Sequence, residues 1–131
     1  MKSLVPRLRS IFRRSRYEGK RFMDAAVTQK CSRQELEEAL SVVEGKWKAL
    51  IICELMTRNL RYHELEKSLA HISRRILTYE LRFLERKGIV RRSSPNTSMR
   101  GVEYSLTTRG RALNGVLLEL ASWGSRVDAT S

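Results

Sequence analysis

Ile72-Ser73-Arg74-Arg75-Ile76-Leu77-Thr78-Tyr79-Glu80-Leu81-Arg82-Phe83-Leu84-Glu85-Arg86-Lys87-Gly88 is the stretch whose reading decides the fold. Ser73 can cap a helix, because its hydroxyl oxygen can accept from an orphan amide of the first turn. Leu77, Leu81 and Leu84, with Ile76 beside them, recur at helical spacing and predict a core-facing stripe on a helix over 73–87. Arg86 and Lys87 complement the negative end of the helix dipole, and Gly88 tolerates the left-handed backbone that ends a helix. The other side carries Arg74, Arg75, Thr78, Tyr79 and Arg82, stacked at i, i+4 and i+8 into one outward face.

Upstream, residues 62–69 read as a short helix with Leu65 and Leu69 turned inward, followed by a tight Ala70-His71-Ile72 connection. Leu60-Arg61-Tyr62 reads as a short strand. Residues 46–56 form a helix that is apolar nearly all round, as befits the middle of a small domain. Before the interruption at Gly45, Ser32-Arg-Gln-Glu35 has the spacing of a capping box and opens a helix over 33–43. Downstream, residues 89–92 and 102–106 alternate like paired strands around a polar loop. Thr107 can then cap a last helix running to about residue 127. Mainly α with a small β-hairpin wing, in this order, is the architecture of a winged helix-turn-helix.

The chain has 131 residues, room for one ordinary domain, and 41% of them are hydrophobic, enough for a small core. Ala49-Leu-Ile-Ile-Cys53 is the longest apolar run, far short of the roughly 20 residues a membrane span needs. Two cysteines make no disulfide scaffold, and no secretory signal is recognisable. A cytoplasmic protein is expected. The net charge of +12 points to nucleic acid before an anionic membrane.

Nine Lys/Arg and two acids fall in residues 1–30, against seventeen and twelve in 31–131. The first segment is read as a flexible basic extension and the second as the DNA-binding domain. Within the extension, Leu4, Val5, Leu8, Ile11 and Phe12 alternate with arginines in a basic amphipathic pattern. A membrane-lying helix, a phosphate-contacting arm and an inert extension ahead of Met23 all fit that pattern, although no stable membrane association is expected.

No glycine-rich phosphate loop or paired-carboxylate constellation supports an enzyme. The two His and two Cys stand singly at 31, 53, 63 and 71, so neither a metal nor a cofactor is expected. Cys53, in an apolar helix, reads as a small hydrophobe.

The basic face fits double-stranded DNA. A major groove accepts a helix, where Arg bonds guanine and Thr or Tyr bonds base edges or packs on thymine methyls. Ser73, Arg74, Arg75, Thr78, Tyr79 and Arg82 are the candidate reading residues. Arg100 near the wing tip, with Arg91 and Arg92 on the strand, suits a narrow minor groove. Tyr62, His63 and His71 are candidates for phosphate contacts, with a plain backbone role open for the two histidines. In the last helix Leu113, Leu117 and Leu120 form an apolar stripe that Trp123 widens beyond one core contact. With Leu36 and Leu40 of the first helix, they make a candidate homodimer interface.

Glu44-Gly-Lys-Trp-Lys48, Glu54-Leu55, Leu60-Arg-Tyr-His-Glu-Leu65, Ile72-Ser-Arg-Arg-Ile-Leu-Thr78 and Val102-Glu-Tyr-Ser-Leu-Thr107 together resemble the HxlR-type family. These are bacterial winged-helix transcription regulators related in fold to the MarR group, and the resemblance spans about residues 34–126. It implies a homodimer that places two recognition helices on a palindromic operator. Some members respond to aldehydes, quinones or oxidants through an N-terminal cysteine. That cysteine usually falls where Gln34 stands here, with Cys31 about one helical turn earlier; a turn glycine is replaced by His71.

Cys31 is nonetheless the candidate sensor thiol for a small electrophile or oxidant. It precedes the Ser32 cap, beside the positive end of the first helix and between Lys30 and Arg33, surroundings suited to a nucleophilic sulfur. The main reading is a sequence-specific DNA-binding transcription regulator. The alternative is a basic winged-helix module for RNA binding or protein assembly.

Overall fold

A computed structural model describes residues 30–94 and 101–130, with side-chain surroundings through residue 126. The amphipathic stretch around residues 4–16 and the wing-tip Arg100 lie outside the described residues. The elements are α1 (Arg33–Ser41), α2 (Lys48–Thr57), β1 (Leu60–Arg61), α3 (Tyr62–Ser68), α4 (Arg74–Arg86), β2 (Val90–Ser93), β3 (Glu103–Leu106), α5 (Thr108–Arg111) and α6 (Asn114–Thr130). The chain divides into two units, one over residues 42–114 and one holding α1 with α6 from Gly115 onward.

The 42–114 unit is built on α4, which forms as its sequence dictates. Ser73 Oγ accepts from the Ile76 amide at 3.1 Å, and Leu77, Leu81 and Leu84 are buried. At the other end Gly88 adopts φ +73°; its amide donates to Glu85 and that of Ile89 to Leu84. Those two bonds are a Schellman exit, which satisfies carbonyls the helix leaves open. α2 buries Ile51, Ile52, Cys53 and Leu55, and α3 contributes Leu65.

Strands β1, β3 and β2 make a three-stranded antiparallel sheet in that order. Leu60 pairs with Tyr104, and Arg92 with Tyr104 on its other side. The expected hairpin thus gains a third strand, while Tyr62 leaves the strand to open α3. The reason is local: Glu64 Oε1 accepts from the Arg61 amide at 2.9 Å and fixes a helix start there.

The continuous last helix expected from Thr107 is a correction: the structure breaks it at Ala112–Leu113. Thr107 does cap, accepting from the Gly110 amide at 3.0 Å. Gly110, however, lies so close to Ile89, just ahead of β2, that a Cβ there would collide with the Ile89 carbonyl oxygen. The chain is pinned to the sheet at that point, and Leu113 bonds back three residues to Gly110, tightening the turn.

In the second unit α1 is capped by Ser32 Oγ, 3.5 Å from the Glu35 amide, and buries no residue. On α6, Leu117 and Leu118 are buried, whereas Val116, Leu120 and Trp123 are exposed. The proposed interface set is therefore corrected. Leu117 is already buried within the chain and so is not part of a free face, whereas Leu113 is half-buried in the turn.

Candidate nucleic-acid interface

Because the leucines of α4 fix its inner side, the helix can turn only one face outward. Arg75, Tyr79 and Arg82 are exposed there, Tyr79 by 60%. Arg86, which the sequence reading used only as a helix exit, continues them at i, i+4, i+7 and i+11. With Arg74 and Thr78 these side chains line an open groove of about 520 Å³. Arg86 was findable from its spacing, since it lies one turn beyond Arg82 on the same stripe.

The rest of the predicted reading set has internal duties. Ser73 Oγ is used by the cap. Arg74 Nε bonds Glu66 Oε2 at 2.9 Å, tying the start of α4 to α3. Thr78 is half-buried and shares a 2.8 Å hydrogen bond with Tyr62, whose hydroxyl also donates to the Arg74 carbonyl oxygen at 2.9 Å. The phosphate role expected of Tyr62 gives way to this one, because its only proton is committed to α4.

Two bends in the chain decide where α3 and α4 start. His71 in the connection adopts φ +74°, a left-handed conformation ordinarily left to glycine. This is the backbone role left open for it, and it is the conformation that makes glycine the residue to expect at such a turn. At the α3 start, Glu64 is held below the usual carboxylate range, first by the Arg61 amide and then by Arg58, 3.1 Å away. His63 is exposed on α3, and neither histidine lines the two clefts of this face.

On the sheet side, Arg91 and Arg92 are exposed on β2. Arg92 and Arg82, with Tyr62, Thr78, Glu85, Val102 and Tyr104, line a cleft of about 310 Å³ between α4 and the sheet. Burial raises the Tyr104 phenol above its ordinary range, with Arg92 opposing, so it stays protonated at neutral pH. The structure thus joins Arg75, Tyr79, Arg82 and Arg92 along one basic margin. A helix face beside a basic strand edge can occupy a major groove while the strand meets the flanking backbone.

Behind the face lies a pair that sequence reasoning missed. Lys48 of α2 and Glu80 of α4 are largely buried, with Lys48 Nζ 3.0 Å from Glu80 Oε2. The approach is off the direction of a hydrogen bond, leaving Oε2 without one, so charge attraction holds the pair. Lys48 Nζ also lies 4.7 Å from the Phe83 ring centre. The available signal was a lysine, Lys48, at the head of the largely apolar helix α2.

Comparison with known proteins settles the family. The profile described as HxlR-like helix-turn-helix matches residues 42–130. The chain belongs to the HxlR-like helix-turn-helix family. Among its HxlR-like relatives is the uncharacterised HTH-type transcriptional regulator YtcD of Bacillus subtilis (strain 168), 39% identical over 90 residues, which are 69% of this chain and 71% of that protein. The redox regulator HypR in its reduced form superposes with a TM-score of 0.66 at 36% identity, covering 70% of this chain and 91% of that one. Quinone-bound YodB from B. subtilis gives 0.62 at 31% identity, over 71% and 98%. This HxlR-like chain is a DNA-binding transcription regulator, and the reading as an RNA or assembly module falls away.

Thiol positions differ sharply. Cys31 is exposed; Cys53 is buried, and burial, aided by the Glu54 charge, pushes its thiol up to about 11. Cys53 is therefore inert at neutral pH. Among the described residues no helix is long and apolar enough to cross a membrane, and no three His, Cys, Asp or Glu converge as for a metal.

Proposed function

We propose that the protein is a cytoplasmic homodimer that binds an inverted-repeat operator through two copies of α4, with Arg75, Tyr79, Arg82 and Arg86 facing the major groove. Arg91 and Arg92, with Arg100 of the loop after β2 in sequence, serve the flanking backbone and minor groove. His63, exposed on α3, and His71, exposed in the turn, stand within the helix-turn-helix and add phosphate contacts.

The observation that carries the dimer is α1, nine residues long with nothing buried. A helix that short is marginal alone in water, so its apolar residues need a partner surface. Leu36 and Leu40 of α1, with Val116, Leu120 and Trp123 of α6, are large apolar side chains left exposed. A second copy offers the same patch and would bury both in an isologous contact. Ile76 and Tyr79, the other such residues described, lie on α4.

Cys31, exposed just ahead of α1, would place an electrophile or oxidant adduct at the edge of this contact. Modification there would alter the spacing of the two α4 helices. The redox regulator HypR and the quinone-bound YodB among the structural relatives support this role. The protein is not read as an enzyme.

The test is affinity of the full chain for duplexes selected from a random pool, against unselected DNA, at several salt concentrations. Specific binding should exceed non-specific binding at least ~10³-fold, and Arg75→Ala should cost about 1–3 kcal/mol. Equal affinity for selected and unselected DNA would overturn the assignment. Diamide treatment of wild type and Cys31→Ser tests the sensor: an identical response of both removes Cys31 from it.

A further inference from the structure

Three polar atoms beneath the outward face of α4 have a proton count that limits what the face can recognise. Tyr62 Oη is 2.9 Å from the Arg74 carbonyl oxygen and 2.8 Å from Thr78 Oγ1. A carbonyl oxygen only accepts, and a phenol has one proton to give. The Tyr62 proton therefore goes to Arg74. Thr78 must then be the donor in its bond to Tyr62, which spends its only proton too. What Thr78 still offers an outside group is lone-pair density on Oγ1, and the half-exposed residue lines the groove with Arg75, Tyr79 and Arg82.

We propose that Thr78 is a specificity-determining residue of this interface, accepting from the major-groove amino group of adenine or cytosine and discriminating against the keto edge of guanine or thymine. The inference rests on α4 being the DNA-reading helix. Adenine N6 and cytosine N4 are the major-groove donors, whereas guanine O6 and thymine O4 accept. A threonine free to rotate its hydroxyl would serve either edge. Here a keto oxygen would face another oxygen with no proton between them, leaving a desolvated acceptor unpaired. Tyr62 acts as a positioning residue: from the first turn of α3 it sets the polarity of a hydroxyl on α4.

The experiment uses the full-length protein and duplexes selected by it from a random pool. Comparing wild type with Thr78→Val, similar in shape but without the hydroxyl, locates the position whose base preference the hydroxyl sets. At that position the exocyclic amino group is then deleted, replacing adenine by purine or cytosine by 2-pyrimidinone. Deletion should weaken wild-type binding about five- to tenfold, the worth of one hydrogen bond, and Thr78→Val binding less than twofold. Thr78→Ser should keep the wild-type response. In Tyr62→Phe the Thr78 proton is released for an outside acceptor, so the preference for the amino base should shrink severalfold. Coupling of Thr78 to a keto oxygen, or an undiminished preference in Tyr62→Phe, would overturn the proposal while leaving α4 as the DNA-reading helix. A pool in which the wild type enriches no sequence would refute that helix assignment itself, and this inference with it.

Discussion

Lys48→Met isolates the buried pair that ties α2 to the back of α4. The Lys48 and Glu80 side chains are 11% and 12% exposed, with nitrogen and oxygen 3.0 Å apart. Removing the lysine leaves a carboxylate oxygen with neither a countercharge nor a hydrogen bond. Breaking a buried pair from one side costs about 3–5 kcal/mol. The residual exposure of Glu80 admits some water, which brings the expected loss to about 2–3 kcal/mol. Loss of the lysine from the Phe83 face adds little, because methionine sulfur also packs well on aromatic rings. Lys48→Met/Glu80→Leu removes both charges and fills the space with apolar atoms, so it should lie within about 1 kcal/mol of wild type. The assay is urea unfolding at pH 7, with the slope checked for constancy among variants. A single variant as stable as wild type, or a double variant at least as unstable as the single, would refute the reasoning.

Gly110→Ala should cost about 1–3 kcal/mol in the same assay despite alanine's better helix propensity, because the new methyl meets the Ile89 carbonyl; Gly124→Ala, with open space around it, should cost nothing. Leu120→Asp, at a side chain 55% exposed, should leave the fold intact by circular dichroism and give a monomer by sedimentation; a folded variant that stays dimeric argues against the interface. Glu64 titrates below its ordinary range when folded, so its stabilisation is full at neutral pH and falls away as pH drops through the unfolded and then the folded value. Glu64→Gln should therefore flatten the acid side of the stability–pH curve, and an unchanged acid side would count against the cap.

Much of this was legible in the sequence where one residue answers to one local demand. Ser73, Leu77, Leu81, Leu84 and Gly88 each do what their spacing announces, so α4 and its outward face could be read directly. The break at Ala112–Leu113 could not, because it depends on Gly110 approaching the Ile89 carbonyl, twenty-one residues earlier. Neither could Tyr62, whose partner hydroxyl lies sixteen residues away, nor the Lys48–Glu80 pair. The apolar excess of α6 was visible as composition. Which of its leucines were covered depended on packing, and that moved Leu117 inside while leaving Leu120 and Trp123 out.

Footprinting of the full chain on the DNA upstream of its own gene and of any divergent neighbour tests the central claim most directly. Two recognition helices on one face of the duplex should protect paired half-sites whose centres lie about 34–36 Å apart, one helical turn, in inverted orientation. Protection should weaken with salt, with a log–log slope near 0.9 for each phosphate neutralised. A single unpaired site, direct repeats, or protection that spreads without sequence preference would contradict a dimeric operator-binding regulator.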